Sequence, residues 1–201
     1  PFFLPFTVGD LLIKPTWEEV PEEDRDKLVI EIDPGTAFGT GMHETTQLCI
    51  RQLQKYMEAG DEIADIGTGS GILGITALKL GAGHVYGTDL DEEAVPAVQD
   101  NLKANGLPAT SFDMVVGNVI GDDAIKSRMG LSKYDIVVAN ILAPVIVLLT
   151  GEVGPLLKQG GIFITSGILD QREAEVLEAF RQHADIWEVL EVNHQGEWIN
   201  V

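Results

Sequence analysis

The chain has 201 residues, enough for one well-cored α/β domain with a small appendage, and its 45% apolar and 22% charged content is that of an ordinary globular protein. Thirty-two acidic against thirteen basic side chains give a net charge of −19, which argues against direct nucleic-acid binding and suits a basic partner. The single cysteine, Cys49, excludes an internal disulfide and fits a reducing cytoplasm, and no apolar run is long and uninterrupted enough to make a membrane span.

Pro1 to Phe6 is apolar but short, broken by proline and without a basic leader, so it does not read as a secretory signal. Residues 1–33 read as a linker or β-rich lead-in. Leu11-Leu12-Ile13 and Leu28–Ile32 are its strands, held apart by the charged, proline-bearing stretch from Pro15 to Lys27. Because the first residue is proline rather than methionine, the expectation is a trimmed piece of a longer product.

Residues 34–201 alternate strand and helix. Helical spacing predicts helices over His43–Met57, Ile72–Leu80, Glu92–Ala104, Pro144–Leu157 and Gln171–His183. Short apolar runs predict strands over Glu62–Ile66, His84–Thr88, Phe112–Val116, Tyr134–Ala139 and Gly161–Ser166. Crossovers of this kind build a mainly parallel sheet with helices on both faces. The tail reads as an antiparallel hairpin, Trp187–Val192 and Glu197–Val201 around a turn at Asn193–Gly196.

The chemistry begins at Asp65-Ile66-Gly67-Thr68-Gly69-Ser70-Gly71, where a strand turns into a helix. Gly67, Gly69 and Gly71 permit positive φ and close approach of a ligand, and the helix start offers unpaired N–H groups. About 20 residues on, Asp89 ends the next strand, where a carboxylate can accept from both ribose hydroxyls. Gly69, Gly71 and Gly74 also satisfy the dinucleotide pattern, so the spacing alone admits NAD. Asp65 weighs the other way, because a carboxylate there can face the ammonium of a cationic cofactor such as S-adenosylmethionine and offers nothing to a pyrophosphate.

Two further constellations converge on the same crevice. The strand Tyr134–Ala139 runs into Asn140-Ile141-Leu142-Ala143-Pro144, and Asn140 stands where ligands bind in open α/β sheets. Its carbonyl can orient an incoming amine for in-line attack on a methyl group, and it can equally cap the following helix. Upstream, Asp33 to Thr46 packs Gly35, Gly39, Gly41, Phe38, His43 and several hydroxyls into one loop, costly to order unless it covers something. His43 and the threonines can also be plain helix-start residues. The acidic groups Asp91-Glu92-Glu93 and Asp122-Asp123 fall at predicted helix starts without histidine or cysteine partners, so no metal is expected.

The stretch Asp33–Thr46 with its A-F-G-T-G-x-H-x-T-T pattern, then Asp65–Gly71, then Asn140-Ile141-Leu142-Ala143, resembles the bacterial methyltransferases of ribosomal protein L11, and Gly196-Glu197-Trp198 resembles that family's last strand. The resemblance implies a class I, Rossmann-like catalytic domain over 34–201, with a seven-stranded mainly parallel sheet. It implies methyl transfer from S-adenosylmethionine to lysine and N-terminal amines of a basic large-subunit ribosomal protein. It assigns Thr46, Gly67, Asp89 and Asn140 to the cofactor and places Phe38 and His43 near the methyl group. Asn118, after the third strand of this domain, stands where many methyltransferases hold the adenine amine. The family's N-terminal recognition domain has no counterpart here, so a cofactor-binding domain inactive without that part is one alternative, and a nicotinamide-dependent oxidoreductase is another.

Overall fold

The structure, a computed structural model, describes residues 4–35 and 42–201. β1 (Phe6–Val8), β2 (Leu11–Pro15) and β3 (Leu28–Ile32) form a small sheet, β1 antiparallel and β3 parallel to β2. There follow α1 (Met42–Tyr56), β4 (Glu62–Ile66), α2 (Ile72–Lys79), β5 (His84–Asp89), α3 (Ala94–Ala104), β6 (Phe112–Val116), α4 (Asp123–Met129), β7 (Tyr134–Asn140), α5 (Ala143–Leu149) and β8 (Leu157–Ser166). The chain ends with β9 (Ile168–Leu169), α6 (Glu173–Gln182), β10 (Asn193–Gln195) and β11 (Trp198–Asn200).

The central sheet is parallel, in the order β6-β5-β4-β7-β8. The strands are apolar on both sides because both faces are covered, as parallel sheets require. Ile63, Val85, Ile136 and Val138 join one core with Ile50 and Leu53 of α1, Ile75 of α2 and Val98 of α3. Their neighbours Ala64, Tyr86, Val137 and Ala139 join the other, with Met129, Ile146, Val176 and Phe180. Phe6, Leu11, Ile13, Ile30 and Ile32 of the lead-in belong to the first core, so the small sheet shares its apolar face with the large one.

The expected seven-stranded sheet is five strands plus a separate three, in the order β10-β11-β9. Gly167, at φ 84°, breaks the run between β8 and β9. The two sheets stay joined by reciprocal backbone bonds between Thr165 and Val201, 3.0 and 3.1 Å.

Three predicted elements need correction. The helix expected over Pro144–Leu157 stops at Leu149, since Gly151, Gly154 and Pro155 supply little helical preference and Pro155 no N–H; one 3₁₀ turn over Gly154–Leu156 leads into β8 instead. Trp187–Val192 alternates like a strand but forms none. Trp187 turns inward against Phe163 and Phe180, with ring centroids 5.5 and 5.9 Å away, and its indole N–H donates to the Thr150 carbonyl at 2.8 Å. The hairpin is therefore shorter than expected and turns at Gly196-Glu197, with Gly196 at φ 59°. Helix α4, capped by the Asp122 carboxylate accepting the Ile125 N–H, begins at the helix start read at Asp122-Asp123, and its span to Met129 comes from the fold.

Candidate functional site

β4 lies between β5 and β7, and the chain leaves it in opposite directions on the two sides. That switch point opens a crevice at the carboxyl ends of the strands, the usual ligand position in an open α/β sheet. A pocket of about 520 Å³ sits there, lined among others by Thr45, Gly67, Asp89, Asn118, Asn140 and Trp198. A larger cavity, about 670 Å³, lies along β8 and residues 185–191, but it contains none of the residues expected to do chemistry.

The glycine turn is built tightly. The Gly67 and Thr68 N–H groups both donate to the Thr88 carbonyl at 2.9 Å, and the Thr68 hydroxyl donates to the Asp65 carbonyl. Gly67 has φ 74°, and a Cβ there would fall 2.7 Å from Cγ2 of Ile141, so this position needs glycine for both conformation and space. Gly71, at φ 89°, starts α2. Gly69 donates its N–H to Oδ2 of Asp89 at 2.8 Å, while Oδ1 of Asp89 accepts from Asp91. Each Asp89 oxygen thus keeps a lone pair for a vicinal diol and is already aimed by the backbone.

Asp65 lies beneath this turn, 2% exposed, and its Oδ2 has no hydrogen-bond partner among the described residues. Burial pushes its carboxyl up to about 8, opposed by the Gly74 N–H and reinforced by the charge of Asp89. A buried carboxyl with one oxygen unpartnered among the described residues fits a cationic ligand group, whose charge would favour the ionised form, better than a pyrophosphate. Cys49 is fully buried, and burial pushes its thiol up, reinforced by Asp65; it is an inert core residue.

Asn140 ends β7 at the pocket, and its side-chain amide donates to the Thr45 hydroxyl at 3.2 Å. Helix α5 has Leu142 as its N-cap, with no side-chain capping bond, so the capping reading of Asn140 does not hold. Asn118 lines the pocket, and its carbonyl oxygen accepts the Ile120 N–H at 2.9 Å. His43 lies in the first turn of α1 and packs against Phe6, ring centroids 4.9 Å apart. Thr46 is fully buried, and the neighbouring Thr45 is the one that lines the pocket. Phe38 lies outside the described residues.

Trp198, Leu90 and Leu142 also line the pocket, the two leucines 73% and 69% exposed. Sequence reasoning passed over all three as site residues. Leu90 directly follows Asp89 and Leu142 lies within the Asn140–Ala143 segment, which is the one signal that points to them; Trp198 reaches the pocket only through the fold of the C-terminal hairpin.

Residues 2–201 match the family model described as ribosomal protein L11 methyltransferase (PrmA). The chain is 55% identical over 203 residues to a ribosomal protein L11 methyltransferase of Agathobacter rectalis, covering 100% of this chain and 62% of that protein. A namesake from Lachnospira eligens is 51% identical, with 98% of this chain and 61% of that protein covered. The chain thus spans about three fifths of the length of these curated relatives. The crystal structure of a ribosomal protein L11 methylase from Lactobacillus delbrueckii subsp. bulgaricus superposes with a TM-score of 0.85 at 31% identity, covering 98% of this chain and 96% of that one. With the glycine turn, Asp89 and Asn140 gathered at one switch point and the match running nearly end to end, the chain belongs to the ribosomal protein L11 methyltransferase (PrmA) family.

Proposed function

We propose that this chain is the catalytic part of an S-adenosylmethionine-dependent methyltransferase acting on lysine side-chain and N-terminal amines of ribosomal protein L11. The observation that carries the reading is the placement of Asn140 at the end of β7, in the same 520 Å³ pocket as Gly67 and Asp89. When bound, the cofactor supplies an electrophilic methyl group on a sulfonium. Asp89 would hold the ribose hydroxyls, Asn118 the adenine end, Gly67–Gly71 the backbone cradle and the buried Asp65 the ammonium. By the family resemblance, Thr46 and His43 of α1 would serve the methionine end, as would Phe38, which lies outside the described residues.

The side-chain carbonyl of Asn140 would accept an N–H of the incoming amine and turn its lone pair toward the methyl group. Positioning of this kind contributes a large share of the rate in reactions that need no covalent help. The amine must arrive neutral although a free lysine titrates near about 10.4. Desolvation in the crevice disfavours the ammonium form, and water takes up the proton. The net charge of −19 complements a basic substrate, and a ribosomal substrate would be met in the cytoplasm.

Calorimetry separates the cofactor classes: binding of S-adenosylhomocysteine and none of NAD is expected. Mass spectrometry of L11 incubated with the full-length enzyme should show gains of about 14 per methyl, and Asn140→Ala should slow them by about 100-fold at saturating cofactor, a larger loss than that in cofactor affinity. Wild-type turnover in that variant would remove Asn140 from the reaction. Incubating L11 with the 201-residue chain alone shows whether recognition needs the rest of the protein.

A further inference from the structure

The glycine turn carries Gly67, Gly69 and Gly71 at φ 74°, 58° and 89°, a backbone with little conformational preference of its own. Part of what holds it comes from helix α3. Asn101, 1% exposed, uses its whole carboxamide: Oδ1 accepts the Asp33 N–H at 2.8 Å, and Nδ2 donates to the Asp33 carbonyl at 3.0 Å and to the Ser70 carbonyl at 2.9 Å. One turn later Asn105 repeats the pattern on Glu31, accepting its N–H at 2.8 Å and donating to its carbonyl at 2.7 Å. Two carboxamides at helical i, i+4 spacing therefore pair with β3 and the residue just after it, in the manner of a neighbouring strand. Only the first of them reaches the glycine turn.

We infer that Asn101 is a positioning residue for cofactor binding, fixing the Ser70–Gly71 peptide by tying the Ser70 carbonyl to the backbone that leaves β3. The inference rests on the S-adenosylmethionine reading of the site. The bond to Ser70 is buried, so this carbonyl is drawn into the protein, while two peptides earlier in the same turn the Gly69 N–H donates to Asp89. The turn is thereby ordered before any ligand arrives, and a ligand need not spend affinity on ordering it. Nothing in the sequence sets Asn101 apart from the other polar residues of a helix, because its partners lie 68 and 31 residues away.

The test pairs two isosteric substitutions in the full-length enzyme. Asn101→Asp keeps the acceptor for the Asp33 N–H but replaces the donor to the Asp33 and Ser70 carbonyls with an oxygen; Asn105→Asp likewise removes a donor, here to the Glu31 and Asn101 carbonyls, with no bond to the glycine turn. Both should lower the melting temperature. Only Asn101→Asp should weaken S-adenosylhomocysteine binding at least tenfold and raise the KM for S-adenosylmethionine more than it lowers kcat. Only Asn101→Asp should also speed amide exchange of residues 67–71 in the ligand-free protein. Unchanged affinity in Asn101→Asp, or an equal loss in Asn105→Asp, overturns the inference. If the wild type binds no S-adenosylhomocysteine, the cofactor reading falls and takes the affinity role with it, whereas unaltered exchange in residues 67–71 refutes the clamp whatever the ligand.

Discussion

Replacing Asp65 with asparagine removes a titrating group while keeping its shape, and it should change how stability depends on pH. In the unfolded chain this carboxyl gives up its proton near its ordinary value of 3.8, while in the fold burial holds the proton to about 8. Between those values the folded state binds more protons than the unfolded one, so stability falls as pH rises from about 4 to 8. A shift of about four pH units sets a ceiling on the order of 5 kcal/mol. The Gly74 N–H remains with the carboxylate, and water reaching Oδ2 recovers part of the cost, so a loss of about 2–4 kcal/mol is expected. Urea unfolding of the ligand-free protein at pH 5, 7 and 9 measures it. Wild type and Asp65→Asn should be close at pH 5, and the variant should be the more stable at pH 9. Every other carboxylate is common to both proteins, so parallel stability curves would refute the reasoning.

Gly67→Ala must place a Cβ at φ 74° and 2.7 Å from Ile141; the left-handed backbone and the overpacking together should cost about 2–4 kcal/mol by urea unfolding. Ile141→Ala in the same chain should recover at least about 1 kcal/mol of that, and a double-mutant cycle with no coupling would show that the contact does not matter. Trp187→Phe keeps the aromatic packing on Phe163 and Phe180 but loses the 2.8 Å bond to Thr150, for an expected loss of about 1–2 kcal/mol in the same assay.

Local physics made most of the elements legible. Glu62–Ile66, Phe112–Val116 and Leu28–Ile32 are strands to the residue, because each is a short apolar run ended by glycine or another turn-forming residue. The same local logic placed Gly67, Asp89 and Asn140 at strand ends, and alternation of strand and helix required those ends to share one edge of a parallel sheet. Where a segment's state depends on a distant neighbour, local pattern misled. Trp187–Val192 has the alternation of a strand but no strand pairs with it, and its tryptophan is held by Thr150 and two phenylalanines from other elements. The end of α5 and the separation of the tail into its own small sheet are of the same kind.

The glycine turn and its acidic companions are written in the sequence, since positive φ, a strand end and a carboxylate are properties of single residues and near neighbours. The number of strands that join, the choice of Thr45 rather than Thr46 at the pocket wall, the arrival of Trp198 and the grip of Asn101 on Ser70 were settled only by the tertiary structure. Each of these depends on where two stretches far apart in the chain come to lie, and the periodicity of either stretch carries no information about the other.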